Sequence, residues 1–257
     1  MKHHFLAGST IGLGLVLAGC GGGMMDNDLV DTHTDLPSVV IDDGNALAIA
    51  ADVYRVAAID VPVTASVAMD PQDPNAINTA ACTEAGALSS GMDGMGMDMN
   101  MGTGMQMVFR NCTLVNPPSS HELMVDGSCS NSGSGGMETV TGNKISFTSQ
   151  GMTMGLHNFT VVRNNDDMTS ARGSLHRPDG GIVNFETSSD FAGTAMVPTA
   201  GTLEISGAGN SRLRLSIVNG GTGFTLEVDA DGDGVYDDPQ PPEERNWNND
   251  FWLALIP

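Results

Sequence analysis

Basic residues are scarce in this chain: ten Lys and Arg stand against 31 Asp and Glu, for a formal net charge of −21. A body so negative has no means of neutralising phosphates, which excludes nucleic acid as a partner. Aromatic residues make up only 5% of the chain and Lys is rare, whereas Gly, Ser, Thr, Val and Asn recur throughout. That balance suits a turn-rich β protein. No apolar run reaches the roughly 20 residues that a membrane-spanning helix needs. Enzyme signatures are missing too. There is no Gly-x-Ser-x-Gly elbow and no phosphate-cradling Gly-x₄-Gly-Lys loop. His121-Glu122-Leu123-Met124-Val125 begins like a zinc-protease helix, but Val125 stands where the second His belongs and the segment reads as strand. His33, His121, His157 and His176 form no metal-binding pair by spacing, and His176 lies beside the Pro178-Asp179-Gly180 turn. A non-enzymatic protein is expected.

What is present begins with an export signal. Lys2 supplies a positive start, Phe5–Leu17 is an apolar run of about 13 residues, and Leu17-Ala18-Gly19-Cys20 follows directly. Charged start, short apolar run and small-residue cut site together mark a secretory signal. The ending Leu-Ala-Gly-Cys resembles the bacterial lipobox. That resemblance implies that the Cys20 thiol takes a diacylglyceryl group and that residues 1–19 are removed. Cys20 then becomes the lipidated first residue, and acyl chains are the contact with a membrane. Each buried CH₂ contributes about 0.8 kcal/mol, so two or more chains anchor stably without a spanning segment. Gly21 follows Cys20 where an Asp would retain such a protein at the inner membrane, so the resemblance favours the outer membrane within the cell envelope. Residues 20–37 are Gly- and Asp-rich with little periodicity and read as a flexible tether. Residues 38–257 form the body.

Three cysteines remain once Cys20 carries lipid. An exported compartment permits disulfides. A hairpin centred near residue 118 places Cys112 opposite residues 124–126 rather than Cys129, which favours Cys82–Cys112. The bond would remove roughly 3 to 4 kcal/mol of unfolded-state freedom. Cys112–Cys129 is the rival pairing, and three reduced thiols the remaining alternative.

Apolar residues Leu47, Ile49, Ala50, Val53, Tyr54, Ala57 and Ala58 recur near the helical period behind Asp42-Asp43-Gly44-Asn45. The spacing predicts a helix over about 45–59, capped by Asp or Asn and ended before Pro62. Residues 61–105 resist assignment. From about 106 the texture becomes alternation broken by turns, with ten candidate strands: 105–115, 121–128, 138–141, 144–149, 156–163, 169–177, 182–187, 201–206, 212–218 and 224–229. The Gly-Ser run 127–136 reads as a hairpin tip. Strands so closely joined imply antiparallel meander pairing without helical crossovers. Leu213, Leu215 and Ile217 alternate with Arg212, Arg214 and Ser216, one face for a core and the other for water. The expected fold is mainly β: an antiparallel meander sheet or incomplete barrel with one N-terminal helix. Lipobox, tether, helix, hairpins and an Asp-rich C-terminal loop together resemble a family of uncharacterised bacterial lipoproteins. Its specific parts are Leu17–Cys20 and Asp229–Asp238, and it implies location and fold rather than chemistry.

Two segments carry candidate ligands. In Asp229-Ala-Asp231-Gly-Asp233-Gly234-Val235-Tyr-Asp237-Asp238, carboxylates fall at positions 1, 3 and 5 of a turning loop. Gly234 sits at position 6, the Val235 carbonyl at 7 and Asp237 at 9. Hard Ca²⁺ wants such oxygens in this order. Position 12 is Gln240 rather than Glu, and Pro239, Pro241 and Pro242 forbid a following helix, leaving Glu243 or Glu244 to fold back as the missing ligand. The rival reading is an acidic turn that needs no ion. The second segment, residues 91–107, is rich in Gly and holds Met92, Met95, Met97, Met99, Met101, Met105 and Met107. Soft thioethers select Cu(I), so a copper-binding lipoprotein is the alternative function; the bland reading is a low-complexity loop.

Overall fold

The computed structural model describes residues 37–69, 78–83, 86–90, 105–114, 122–134, 136–164, 167–237, 244–247 and 251. Cys20, the tether, Met92, Met95, Met97, Met99, Met101 and Asp238–Glu243 lie outside the described residues.

A turn organised by Asp42 leads into the helical part, whose N-cap residue Asn45 makes no side-chain cap bond. The Asp42 carboxylate accepts the N–H groups of Gly44 (2.9 Å) and Asn45 (3.1 Å), while the Asn45 amide oxygen accepts the Asp42 N–H (3.0 Å). Asp and Asn side chains favour such local bonds to backbone N–H groups, which fix the turn ahead of the helix. The α1 helix (Ala46–Arg55) follows and buries Ala46, Ile49, Ala50, Ala51, Val53 and Tyr54. The helix does not end near residue 59. A π-helical turn, Val56–Asp60, carries the chain into α2 (Val61–Ala68) with Pro62 inside it. Proline has no N–H and its ring collides with the carbonyl four residues back in an α-helix. Here the Val61 N–H bonds to the Val56 carbonyl, five residues back. The widened turn lets Pro62 sit at the start of a renewed helix, the position it tolerates best.

Eleven strands then form one antiparallel sheet in sequence order, an open meander. They are β1 (Ala87–Ser90), β2 (Met105–Thr113), β3 (Met124–Ser134), β4 (Met137–Ser149), β5 (Met152–Asn164), β6 (Asp167–His176), β7 (Ile182–Gly193), β8 (Pro198–Ser206), β9 (Arg212–Val218), β10 (Gly223–Asp229) and β11 (Glu244–Asn246). The edge strands β1 and β11 are the shortest, which limits the unpaired backbone offered to other chains.

Two sequence readings are corrected. Of the Gly-Ser run 127–136, residues 127–134 lie within β3 rather than in a tip, and Gly136 is in the turn to β4. Gly127 (φ 119°) and Gly133 (φ 145°) lie where a Cβ would meet the Lys144 carbonyl oxygen at 2.6 Å and the Met137 carbonyl oxygen at 2.3 Å. Close backbone approach, not turning, requires those glycines. Segments 138–141 and 144–149 are one strand, β4, with the register shift at Gly142-Asn143.

The inner face of the sheet packs on the helical segment: α1 meets β9 and β10, the π turn meets β5 and β6, and α2 meets β4 and β5. Leu213, Leu215 and Ile217 are buried on it, with Arg214 and Ser216 facing outward. Polar ties fix the helix. Tyr54 Oη donates to the Ala195 carbonyl (2.8 Å), Arg163 Nη1 to the Pro62 carbonyl (3.2 Å), and Arg177 Nε to Asp52 (2.8 Å). A disulfide joins Cys82 to Cys112, whose strand partner on β3 is Val125. Cys129 is a buried free thiol.

Candidate metal centre

The loop after β10 brings Asp229, Asp231 and Asp237 together, with one ligand oxygen from each within 4.8 Å of the others. Its shape is set by its own side chains. Asp229, buried at 1% exposure, accepts the Gly232 N–H on Oδ1 (2.8 Å) and the Gly234 N–H on Oδ2 (2.9 Å). The Asp231 carboxylate accepts the Asp233 N–H (3.1 Å), and Asp233 accepts the Val235 N–H (2.7 Å). Asp237 closes the loop: its N–H donates to the Val228 carbonyl (2.6 Å) and its Oδ2 accepts the Ala230 N–H (3.0 Å). Asp and Asn side chains favour such bonds to N–H groups two residues on.

The loop is also pinned to the sheet. Gly232 (φ 75°) comes so near the turn Ala208–Asn210 that a Cβ would lie 2.3 Å from the Gly209 carbonyl oxygen. Tyr236 lies under the Arg214 guanidinium (4.3 Å to the ring centre) and donates to Glu204 Oε2 (2.7 Å). Partial burial, then the bond to Glu204, pushes the Tyr236 phenol up to about 12. Arg214 in turn holds Glu204 (2.7 Å) and Glu227 (3.4 Å).

Three carboxylates so close repel one another, and a hard cation relieves that repulsion by supplying opposite charge. Each carboxylate accepts more bonds than the backbone takes. The donor set, all oxygen, therefore fits Ca²⁺ chemically.

Sequence reading and geometry differ in detail. Asp233 is outside the cluster of three, its carboxylate turned to the Val235 N–H. Glu244 does not fold back as a ligand: it pairs with Thr225 in β11 and accepts the Asn219 side-chain amide (2.6 Å). Thr225 is four residues up β10 from Asp229, about 13 Å at strand rise. Of the soft ligands, Met107 is fully buried in the core and Met105 half-buried, both within β2, so the Met-rich run ends inside the sheet. Sequence spacing also missed the stacking of His157 on His176, ring centres 3.8 Å apart across β5 and β6. Cross-strand register, invisible in spacing, brings them together.

No family model, curated protein or solved structure matches this chain.

Proposed function

We propose that this chain is a non-enzymatic lipoprotein of the bacterial cell envelope. Acyl chains on Cys20 hold it to a membrane, the outer rather than the inner, and its β body has a structural or ligand-binding role. Ca²⁺ braces the loop after β10. The observation that carries the calcium reading is the convergence of Asp229, Asp231 and Asp237 on a loop whose backbone already organises them. Export rests on the order Lys2, Phe5–Leu17, Leu17–Cys20. No helix among the described residues is long and apolar enough to cross a membrane. The alternative Cu(I) reading loses Met107 to the core.

A ligand set short of one carboxylate binds weakly, in the range of extracellular modules, about 10⁻⁴ to 10⁻³ M. At free Ca²⁺ about tenfold above Kd, linkage adds about 1.4 kcal/mol to stability. That raises Tm by about 3 to 5 °C in a domain of this size. Asp231→Asn/Asp237→Asn should abolish the gain while leaving the ion-free Tm near its original value. No rise at millimolar Ca²⁺ would retire the calcium reading. Mass spectrometry of the protein from its native host tests the anchor separately: a diacylglyceryl adduct on Cys20 with residues 1–19 gone is expected.

A further inference from the structure

A depression of about 390 Å³ opens on the sheet where β2 to β5 meet. Two irregularities of pairing create it. Opposite β3, the register shifts between Ser128 and Ser130 as β4 passes through Gly142 and Asn143. Beside it, β5 slips against β6 between His157 and Thr160. Asn158 takes a left-handed backbone there (φ 46°) and is exposed. Gly142 is held without a side chain because a Cβ would lie 2.6 Å from the Phe159 ring and 2.7 Å from the Ser128 carbonyl oxygen. Bulges of this kind bend a strand and re-aim its side chains.

The lining is chemically uniform. Gln106, Ser130, Thr141, Asn143, Asn158 and Thr160 bring amides and hydroxyls to the rim, while Phe159 beneath Gly142 is 2% exposed and belongs to the core. No lining residue is charged, although acidic groups outnumber basic ones threefold in the chain as a whole, 31 to 10. Amides and hydroxyls each both donate and accept. Gln106 and Asn143 are exposed and Thr141 and Thr160 partly so. The volume lies in the range of small-molecule sites, about 300 to 1,000 Å³, yet the walls are polar where such sites are usually apolar. Lys144 and Arg172, exposed partners of Ser128 and Thr160, border the lining without belonging to it.

We infer that this depression binds a neutral saccharide of one to three units, its hydroxyls paired with the amide and hydroxyl rim. This gives the ligand-binding role proposed above a place and a chemical class. It is independent of the loop after β10, so its failure would leave the calcium reading standing.

The test is a ¹H–¹⁵N titration of the full chain in mild detergent with maltotriose, cellotriose and N,N′-diacetylchitobiose, each to about 20 mM, enough to detect the millimolar affinity of a few hydrogen bonds. At least one sugar should move the amides of 128–130, 141–143 and 158–160 in a saturating manner. Asn143→Ala/Asn158→Gly should weaken that binding about tenfold or more, the loss of a hydrogen bond or two. Glycine at 158 tolerates the left-handed backbone, so the variant's spectrum elsewhere and its Tm should be unchanged. Absence of shifts with all three sugars overturns the inference. So does undiminished binding by the folded variant, or an equal response to glucuronate.

Discussion

Asp60 is 4% exposed on the π turn, with Arg55 Nε 3.5 Å from its Oδ2, and that oxygen accepts no hydrogen bond from a described residue. Burial, only partly offset by Arg55, pushes its carboxyl up to about 6 from 3.8. A folded-state value above the unfolded one means that the protonated form is favoured in the fold. Its contribution is fully present below about pH 4 and is lost as pH rises through 6. Near pH 7.5 the ionised group costs about 3 kcal/mol. Asp60→Asn should therefore raise Tm at pH 7.5 and leave it nearly unchanged at pH 4; the same gap at both pH values would contradict this account. Cys129 gives a second test. Burial pushes its thiol up to about 12, with Arg163 acting in the opposite direction. Thiolate is the reactive species, so an aromatic disulfide reagent at pH 8 should leave Cys129 untouched in the native protein and label it only in denaturant. Rapid stoichiometric labelling without denaturant would show that the site is open.

The strands show why alternation was partly legible. In β9 the period of two runs without interruption, and its buried face is readable directly. In β4, Val140 and Ile145 both face the core although five positions separate them, because the shift against β3 at Gly142-Asn143 inserts a residue. Leu156 and Phe159 in β5 are likewise three apart and both buried. A bulge resets the phase, so one strand reads as two or starts late. Gly142→Ala should cost about 1 to 3 kcal/mol by overpacking against Phe159. Phe159→Leu in the same chain should recover part of the loss; strict additivity in urea unfolding would argue against that contact. The helix failed for a related reason. Proline reads as a stop under α-geometry, and only the tertiary setting of residues 56–60 makes the wider turn worth adopting.

At the scale of the whole molecule, five of the twelve aromatic residues gather at one place. Tyr54 of α1 stacks edge-on with Phe191, Trp247 and Phe251 at centroid distances of 5.5, 5.2 and 5.5 Å, and Phe224 joins the last two. The helix, β7, β10 and the C-terminal segment are thus joined across most of the chain. At the other end of the sheet, the disulfide ties the segment before β1 to β2, with a sequence separation of 30. Closing a loop of that length restricts the unfolded chain by about 3 to 4 kcal/mol. Cys82→Ser/Cys112→Ser should lower Tm by about 6 to 16 °C, measured by calorimetry without reductant. An unchanged Tm would mean that the reduced chain is equally constrained.

Export pattern, acidity, turn-separated strands and the Asp loop were all set by local order, because each depends on neighbours within about ten residues and a period or spacing records them. Long-range placement left no such record. The passage of the helix through Pro62, the bulges that make the polar depression, the stacked His157 and His176, and the distance of Glu244 from Asp229 all follow from which strands lie side by side. Register is a property of pairs of segments, and it decides which side chains of a chain this rich in small polar residues converge.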